Sequence, residues 1–202
     1  MEEETVINQR VHDFSKSIDI IQTILIYLIA LLVPTFLGEL LKNVFPATSI
    51  VVTKSQLIIG SMVNASLIVT AMNLKGWAKI LGVVTMPSIS TILGGYVFKT
   101  ASVFMVYMIP AIWVGNFALV YAYKKILVQK NKNYFIAGIV GIVIKVAIIF
   151  GAFSILNLIG IFPPKLVTNL QTAMGMTQGI TATVGMIIAF VIYKLECRKW
   201  DY

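Results

Sequence analysis

One lysine lies deep inside a long apolar stretch of this 202-residue chain. Lys145 is the twelfth residue of the stretch 134–161 and its only charged residue. If the stretch is a membrane helix, an unpaired ammonium at that depth costs a few kcal/mol or more. An anionic ligand, a water-filled cavity or backbone carbonyls could satisfy the ammonium, and so could snorkelling along a tilted helix. A ligand-binding role and a structural role are both open for Lys145.

Carboxamides and a tryptophan lie in the other apolar stretches. Polar side chains are costly in a lipid core, so they indicate a binding site or hydrogen bonds between helices. In the orientation that the basic residues predict, most of the amides lie in the outer half of the membrane or near mid-depth, which favours a shared pocket open to the outside. The predicted substrate-binding set comprises Asn64, Trp113, Asn116, Lys145, Asn157, Gln171 and Gln178. The alternative for each amide is a structural hydrogen bond between neighbouring helices.

Six apolar stretches fill almost the whole chain. A helix needs about 20 apolar residues to span the hydrocarbon core. The chain is 58% hydrophobic and 12% charged, whereas soluble domains carry roughly 25% charged residues. The sequence therefore predicts an all-α integral membrane protein, a single transmembrane domain over residues 1–202, with six spans at 18–41, 57–72, 80–97, 103–123, 134–161 and 170–193. A short amphipathic helix on the membrane surface is predicted within residues 1–17.

The basic residues divide unevenly between the two ends of these spans. Eleven of the 16 Lys and Arg residues lie in the two tails and in the connections between spans 2 and 3 and spans 4 and 5. Four lie in the other three connections. Because basic residues concentrate on the cytoplasmic side, both termini are predicted to be cytoplasmic. The net charge of +8 is explained by this placement at helix ends, which argues against nucleic-acid binding.

Several chemistries lack the residues that they need. The single cysteine, Cys197, excludes an intramolecular disulfide and a cysteine metal cluster. The single histidine, His12, lies in the N-terminal tail, and the two acidic residues within the spans, Asp19 and Glu39, lie at opposite ends of the first span, too far apart to act as a pair. The sequence also has no nucleophile–base constellation and no phosphate-binding loop. The chain is therefore predicted not to be an enzyme, with no metal site and no cofactor.

Small residues recur at helical spacing in the third span. Ala78, Gly82, Ser90 and Gly94 would share one face of a helix. Small side chains let two membrane helices approach closely. This face could pack inside the bundle, or it could dock against a partner membrane protein.

Four short strings, in this order, resemble a known family. They are VNASLIV at 63–69, GWAKILGVVTMP at 76–87, MIPAIWVGNFALV at 108–120 and AMGMTQGITATVG at 173–185. Together they resemble the substrate-binding S components of energy-coupling factor (ECF) transporters. The likeness is strongest to the less characterised S-component-like proteins of anaerobic Gram-positive bacteria of the clostridial type. It covers about residues 57–190, and six spans with both termini inside agree with it.

The resemblance implies a multi-pass subunit of the bacterial plasma membrane that binds a micronutrient, a vitamin or a related compound, near the outer face. It also implies that small residues on the first and third helices dock against a transmembrane coupling subunit, which two cytoplasmic ATPases drive. The expected function is high-affinity substrate capture for nutrient uptake. The alternatives are a stand-alone secondary transporter or channel, and a structural subunit of another membrane complex.

Overall fold

The computed structural model describes residues 16–46, 48–49, 54–94 and 102–198, and the regular structure in these ranges is entirely helical. In chain order, α1 joins Lys16–Leu32, a π-helical turn at Val33–Leu37 and Gly38–Val44; α2 is Ser55–Asn73; α3 is Trp77–Gly94; α4 joins Ser102–Met105, a 3-10 turn at Val106–Met108, Ile109–Ala122 and a π-helical turn at Tyr123–Gln129; α5 is Tyr134–Leu158; α6 is Pro164–Met174; α7 is Met176–Arg198. The amphipathic helix predicted within residues 1–17 falls almost entirely outside the described residues.

Within the described residues, five helical segments are long and apolar enough to cross a membrane. They comprise Ile20–Val44, Ser55–Asn73, Val106–Gln129, Tyr134–Leu158 and Pro164–Leu195. The third predicted span corresponds to α3, which has 18 residues and an internal proline, Pro87. The predicted helical class is thus confirmed, and the helices suit a multi-pass membrane protein. The side of the membrane that each terminus faces stays a prediction.

The chain around the sixth predicted span forms two helices. Pro164 is the first residue of α6, a position that suits proline because the first helical nitrogen needs no hydrogen bond. The helix ends before Gly175, and α7 begins at Met176. The amphipathic α6 buries Leu170 and Met174. Mean hydropathy alone does not distinguish such a helix from the start of a span, so the predicted boundary at 170 falls inside α6.

Local caps determine where α5 begins and ends. The Asn133 side chain accepts a hydrogen bond from the backbone N–H of Phe135 at 2.8 Å, the usual arrangement of an N-cap. At the other end Gly160 has a φ of 80°, and the Ile161 N–H donates to the Leu156 carbonyl at 3.1 Å. A left-handed glycine with such a bond terminates a helix. The helix therefore ends at residue 158 rather than 161.

Two closely packed pairs of helices form the centre of the bundle. The most extensive helix contact joins α2 to α7, and the next joins α4 to α5. At Gly185 of α7, an added Cβ would lie 2.6 Å from the Asn64 Cβ and 2.8 Å from the Ser61 carbonyl oxygen of α2. At Gly141 of α5, it would lie 2.9 Å from the Leu119 side chain of α4. Small residues at these crossings let the backbones approach closely.

The small residues predicted as a docking face lie along α3. Gly82 faces the Tyr27 ring of α1, where an added Cβ would collide with the phenol. The Tyr27 hydroxyl also donates to the Lys79 carbonyl at 2.9 Å. Gly82 therefore serves packing inside the bundle. Ala78 is exposed, and Ser90 and Gly94 lie in the last turns of the same helix.

A lysine of α4 caps the end of α2. The Lys124 ammonium donates to the Leu74 carbonyl at 2.8 Å, and Leu74 directly follows the last residue of α2. A cation there also interacts favourably with the helix dipole.

We expect Lys124→Ala to lower the free energy of unfolding in detergent by about 1–2 kcal/mol. Lys125→Ala is the matched control: Lys125 is exposed, so its loss should change this free energy by less than about 0.5 kcal/mol. Equal losses would contradict the capping role.

Candidate solute-binding site

The side chain of Lys145 is buried at the middle of α5. It is 2% exposed, and its ammonium donates a hydrogen bond to the Asn64 Oδ1 of α2 at 2.5 Å. In a helix of 25 residues, Lys145 lies about 16 Å from the first residue and about 20 Å from the last. The side chain is directed into the bundle rather than toward either helix end.

The amide of Asn64 is oriented by α2 and α7 together. Its Nδ2 donates to the Gly60 carbonyl at 2.8 Å and to the Thr181 Oγ1 at 3.3 Å. The Thr181 hydroxyl donates in turn to the Gln178 carbonyl at 3.2 Å. Because both amide hydrogens are used, the amide oxygen is left to accept from Lys145. This chain of hydrogen bonds holds the ammonium in one place.

A cavity of about 70 Å³ opens beside this ammonium. Five helices contribute to its wall: α2, α3, α4, α5 and α7. Its apolar wall comprises Ile59, Gly60, Val63, Pro87 and Ile112. Its polar wall comprises Gln56, Asn64, Ser88, Asn116, Lys145 and Gln178. The lysine and three of the predicted amides thus meet in one place, although they come from four different helices.

The cavity wall contains donors that the described part of the protein does not use. An ammonium has three hydrogens, and among the described residues Lys145 gives one of them, to Asn64. Asn116 is 3% exposed, and its side chain makes no hydrogen bond within the ranges that the structure describes. Buried polar groups almost always have a partner, which can be protein, water or a bound molecule. Lys145 and Asn116 are therefore available to a solute in the cavity.

Three of the predicted site residues lie outside the cavity wall. Trp113 packs against the main apolar core, and its indole N–H is buried with no hydrogen-bond partner in the described ranges. Asn157 lies near the end of α5, and Gln171 is exposed on α6. The structure therefore brings together Asn64, Asn116, Lys145 and Gln178, and the other three are not part of the cavity wall.

Two polar residues of the cavity were absent from the predicted set. Gln56 lies in the first turn of α2, one residue before the predicted start of the second span. Ser88 follows Pro87 within α3. The signal for Ser88 was a hydroxyl next to a proline inside an apolar stretch. Gln56 carried no such signal, because its position looked like part of a connection.

No protein-family model, curated protein or solved structure matches this chain. The resemblance to the S components of ECF transporters stays a prediction. The features that bear on function are therefore the cavity and the donors of Lys145 and Asn116 that face it.

Proposed function

We propose that this chain is the substrate-capture subunit of an ECF-type transporter and binds a small nutrient in the cavity beside Lys145. The observation that carries the binding role is a buried ammonium with unused donors, within the described residues, in a wall of amides. A purely structural lysine at this depth would be expected to give its hydrogens to protein groups. Donors directed at a cavity instead suit a solute that arrives and leaves.

The helices around the cavity are those that a membrane solute site requires. Solute sites in helical bundles are built from side chains on facing helices. Here the polar groups of the wall other than Ser88 lie within helical segments long enough to cross the hydrocarbon core. In the orientation predicted from the basic residues, Gln56 and Gln178 lie toward the outer end and Lys145 near the centre. This arrangement supports capture from the outside.

The proposed partners come from the resemblance. They are a transmembrane coupling subunit and two cytoplasmic ATPase subunits in the bacterial plasma membrane. Docking would use Ala78, Ser90 and Gly94 on α3, since Gly82 is in contact with Tyr27 of α1. The energy for release of the nutrient would then come from the partner ATPases.

Isolation of the complex tests this function without knowledge of the nutrient. The full chain, tagged at one terminus, would be purified from the membranes of its own cells in mild detergent and its partners identified by mass spectrometry. We expect one transmembrane coupling subunit and two ATPase subunits in fixed ratio. A different stable complex would instead support a structural subunit. A chain that purifies alone and carries solute into vesicles by itself would support a secondary transporter or a channel.

A further inference from the structure

We infer that the cavity selects a small monovalent anion, which pairs with the Lys145 ammonium and accepts hydrogen bonds from the amide of Asn116. This inference rests on the proposed function in treating the cavity as a binding site, and it adds the charge and the size of the solute.

The charge of the wall favours an anion. The polar residues of the wall are one lysine, four neutral amides and one serine, and none of its described residues is a carboxylate. A cationic solute would be repelled by Lys145, and a neutral solute would leave the buried ammonium without a counter-charge. One negative charge neutralises the site, whereas a dianion would bury an excess charge. A monoanion is therefore the solute that costs the least to bury.

The donors around the cavity complete an anion site. Asn64 is fixed by Gly60 and Thr181, so its oxygen holds the ammonium in place without competing for the two remaining hydrogens. Asn116 adds an amide from the opposite helix pair. Hydrogen bonds from a cation to an anionic oxygen are about twice as strong as those between neutral groups. Lys145 supplies the charge, Asn116 supplies orientation, and Asn64 is a positioning residue.

The volume of the cavity limits the size of the anion. Pockets that enclose drug-sized ligands measure roughly 300–1,000 Å³, and this cavity measures about 70 Å³. The space beside Lys145 therefore accepts a group of a few non-hydrogen atoms, such as formate or acetate. Because the cavity is open on one side, the rest of a larger solute would have to extend out of it.

Thermal unfolding of the purified full chain tests the charge selectivity. The protein would be kept in detergent at constant ionic strength in sodium gluconate, whose anion is much bulkier than formate or acetate, and titrated with sodium formate, sodium acetate or acetamide. Acetamide matches acetate in size and lacks its charge. A ligand that binds the folded state raises the unfolding midpoint in a saturable way. We expect formate and acetate to do so and acetamide to have no saturable effect.

Three variants assign that effect to the cavity. Lys145→Met removes the charge, and we expect affinity for acetate to fall about a hundredfold, as for truncation of one partner of a buried charge pair. Asn116→Asp is isosteric and supplies an internal counter-charge, so it should weaken acetate binding at least tenfold even if Lys145→Met folds poorly. Asn73→Asp makes the same change at the end of α2, outside the cavity wall. We expect it to bind acetate like the wild type.

Two results would overturn the inference. One is an equal response to acetate and acetamide. The other is an unchanged acetate affinity in both Lys145→Met and Asn116→Asp. The proposed function fails separately: anion binding without an ATPase-containing complex would leave the inference standing and refute the ECF role. The opposite result is isolation of that complex with a protein that binds a ring-containing neutral vitamin and no small anion. It would support the ECF role and refute the inference about the anion.

Discussion

Replacing Asn64 with leucine is expected to lower the free energy of unfolding by about 3 kcal/mol, the largest stability loss among the substitutions considered. The reason is that Lys145 would lose its one acceptor among the described residues. Leaving a buried donor without its acceptor typically costs about 1–3 kcal/mol, and more when the donor is charged, because its desolvation is no longer compensated. The measurement is equilibrium unfolding in mixed detergent, followed by circular dichroism.

The double variant Asn64→Leu with Lys145→Met isolates this cause. If the loss comes from the uncompensated ammonium, removing the ammonium should restore most of the stability, because an apolar pair of similar volume is often neutral or stabilising. Lys145→Met alone should cost about 1–3 kcal/mol, since it leaves the Asn64 oxygen without its donor. Losses that simply add in the double variant would contradict an energetic coupling between the two side chains.

Gly185→Ala is expected to destabilise the protein by about 1–3 kcal/mol and to disturb the site at the same time. The added methyl group would lie 2.6 Å from the Asn64 Cβ, 2.8 Å from the Ser61 carbonyl oxygen and 2.9 Å from the Ala65 nitrogen. Two of these atoms belong to the α2 backbone, so a side-chain rotation cannot relieve the collision. The α2–α7 pair must separate, and Asn64 must move with it.

Gly151→Ala is the matched control for this effect. Gly151 lies within α5, and no heavy atom lies within 4 Å of an added Cβ. Alanine there should leave the protein unchanged or stabilise it by up to about 1 kcal/mol, because glycine is a poorer helix former. Thermal unfolding midpoints of the two variants give the comparison. A similar shift in both would mean that close packing of α2 and α7 is not what Gly185 provides.

The helical class and most of the spans could be predicted because lipid imposes a simple requirement on length and polarity. Helix ends were less predictable, since they depend on single residues. Gly160 ends α5 through its positive φ, and a hydropathy profile contains no information on backbone conformation. The turn at Gly175 had a larger consequence. In one continuous helix Gln171 and Gln178, seven residues apart, would share a face; the break leaves Gln171 exposed on α6 and Gln178 at the cavity wall.

The composition of the site was partly predictable for a similar reason. An ammonium and amides in apolar stretches stand out in any sequence, and Lys145, Asn64 and Asn116 were found on that ground. The amide that accepts the hydrogen bond from Lys145 could not be predicted, because Asn64 is 81 residues away in the chain and every buried amide offers the same chemistry. Asn157 is too far from Lys145 to belong to the site, because it lies 12 residues further along α5, which is about 18 Å of helix.

A crystal structure of the full chain grown in sodium bromide would show whether a small anion binds beside Lys145, since bromide is a small monovalent anion that can be located by its anomalous scattering. We expect a bromide peak in the cavity, in contact with the Lys145 ammonium and the Asn116 amide, with Asn64 still accepting from Lys145. Bromide found only on the surface, with the Lys145 and Asn116 donors given to protein groups, would contradict this expectation.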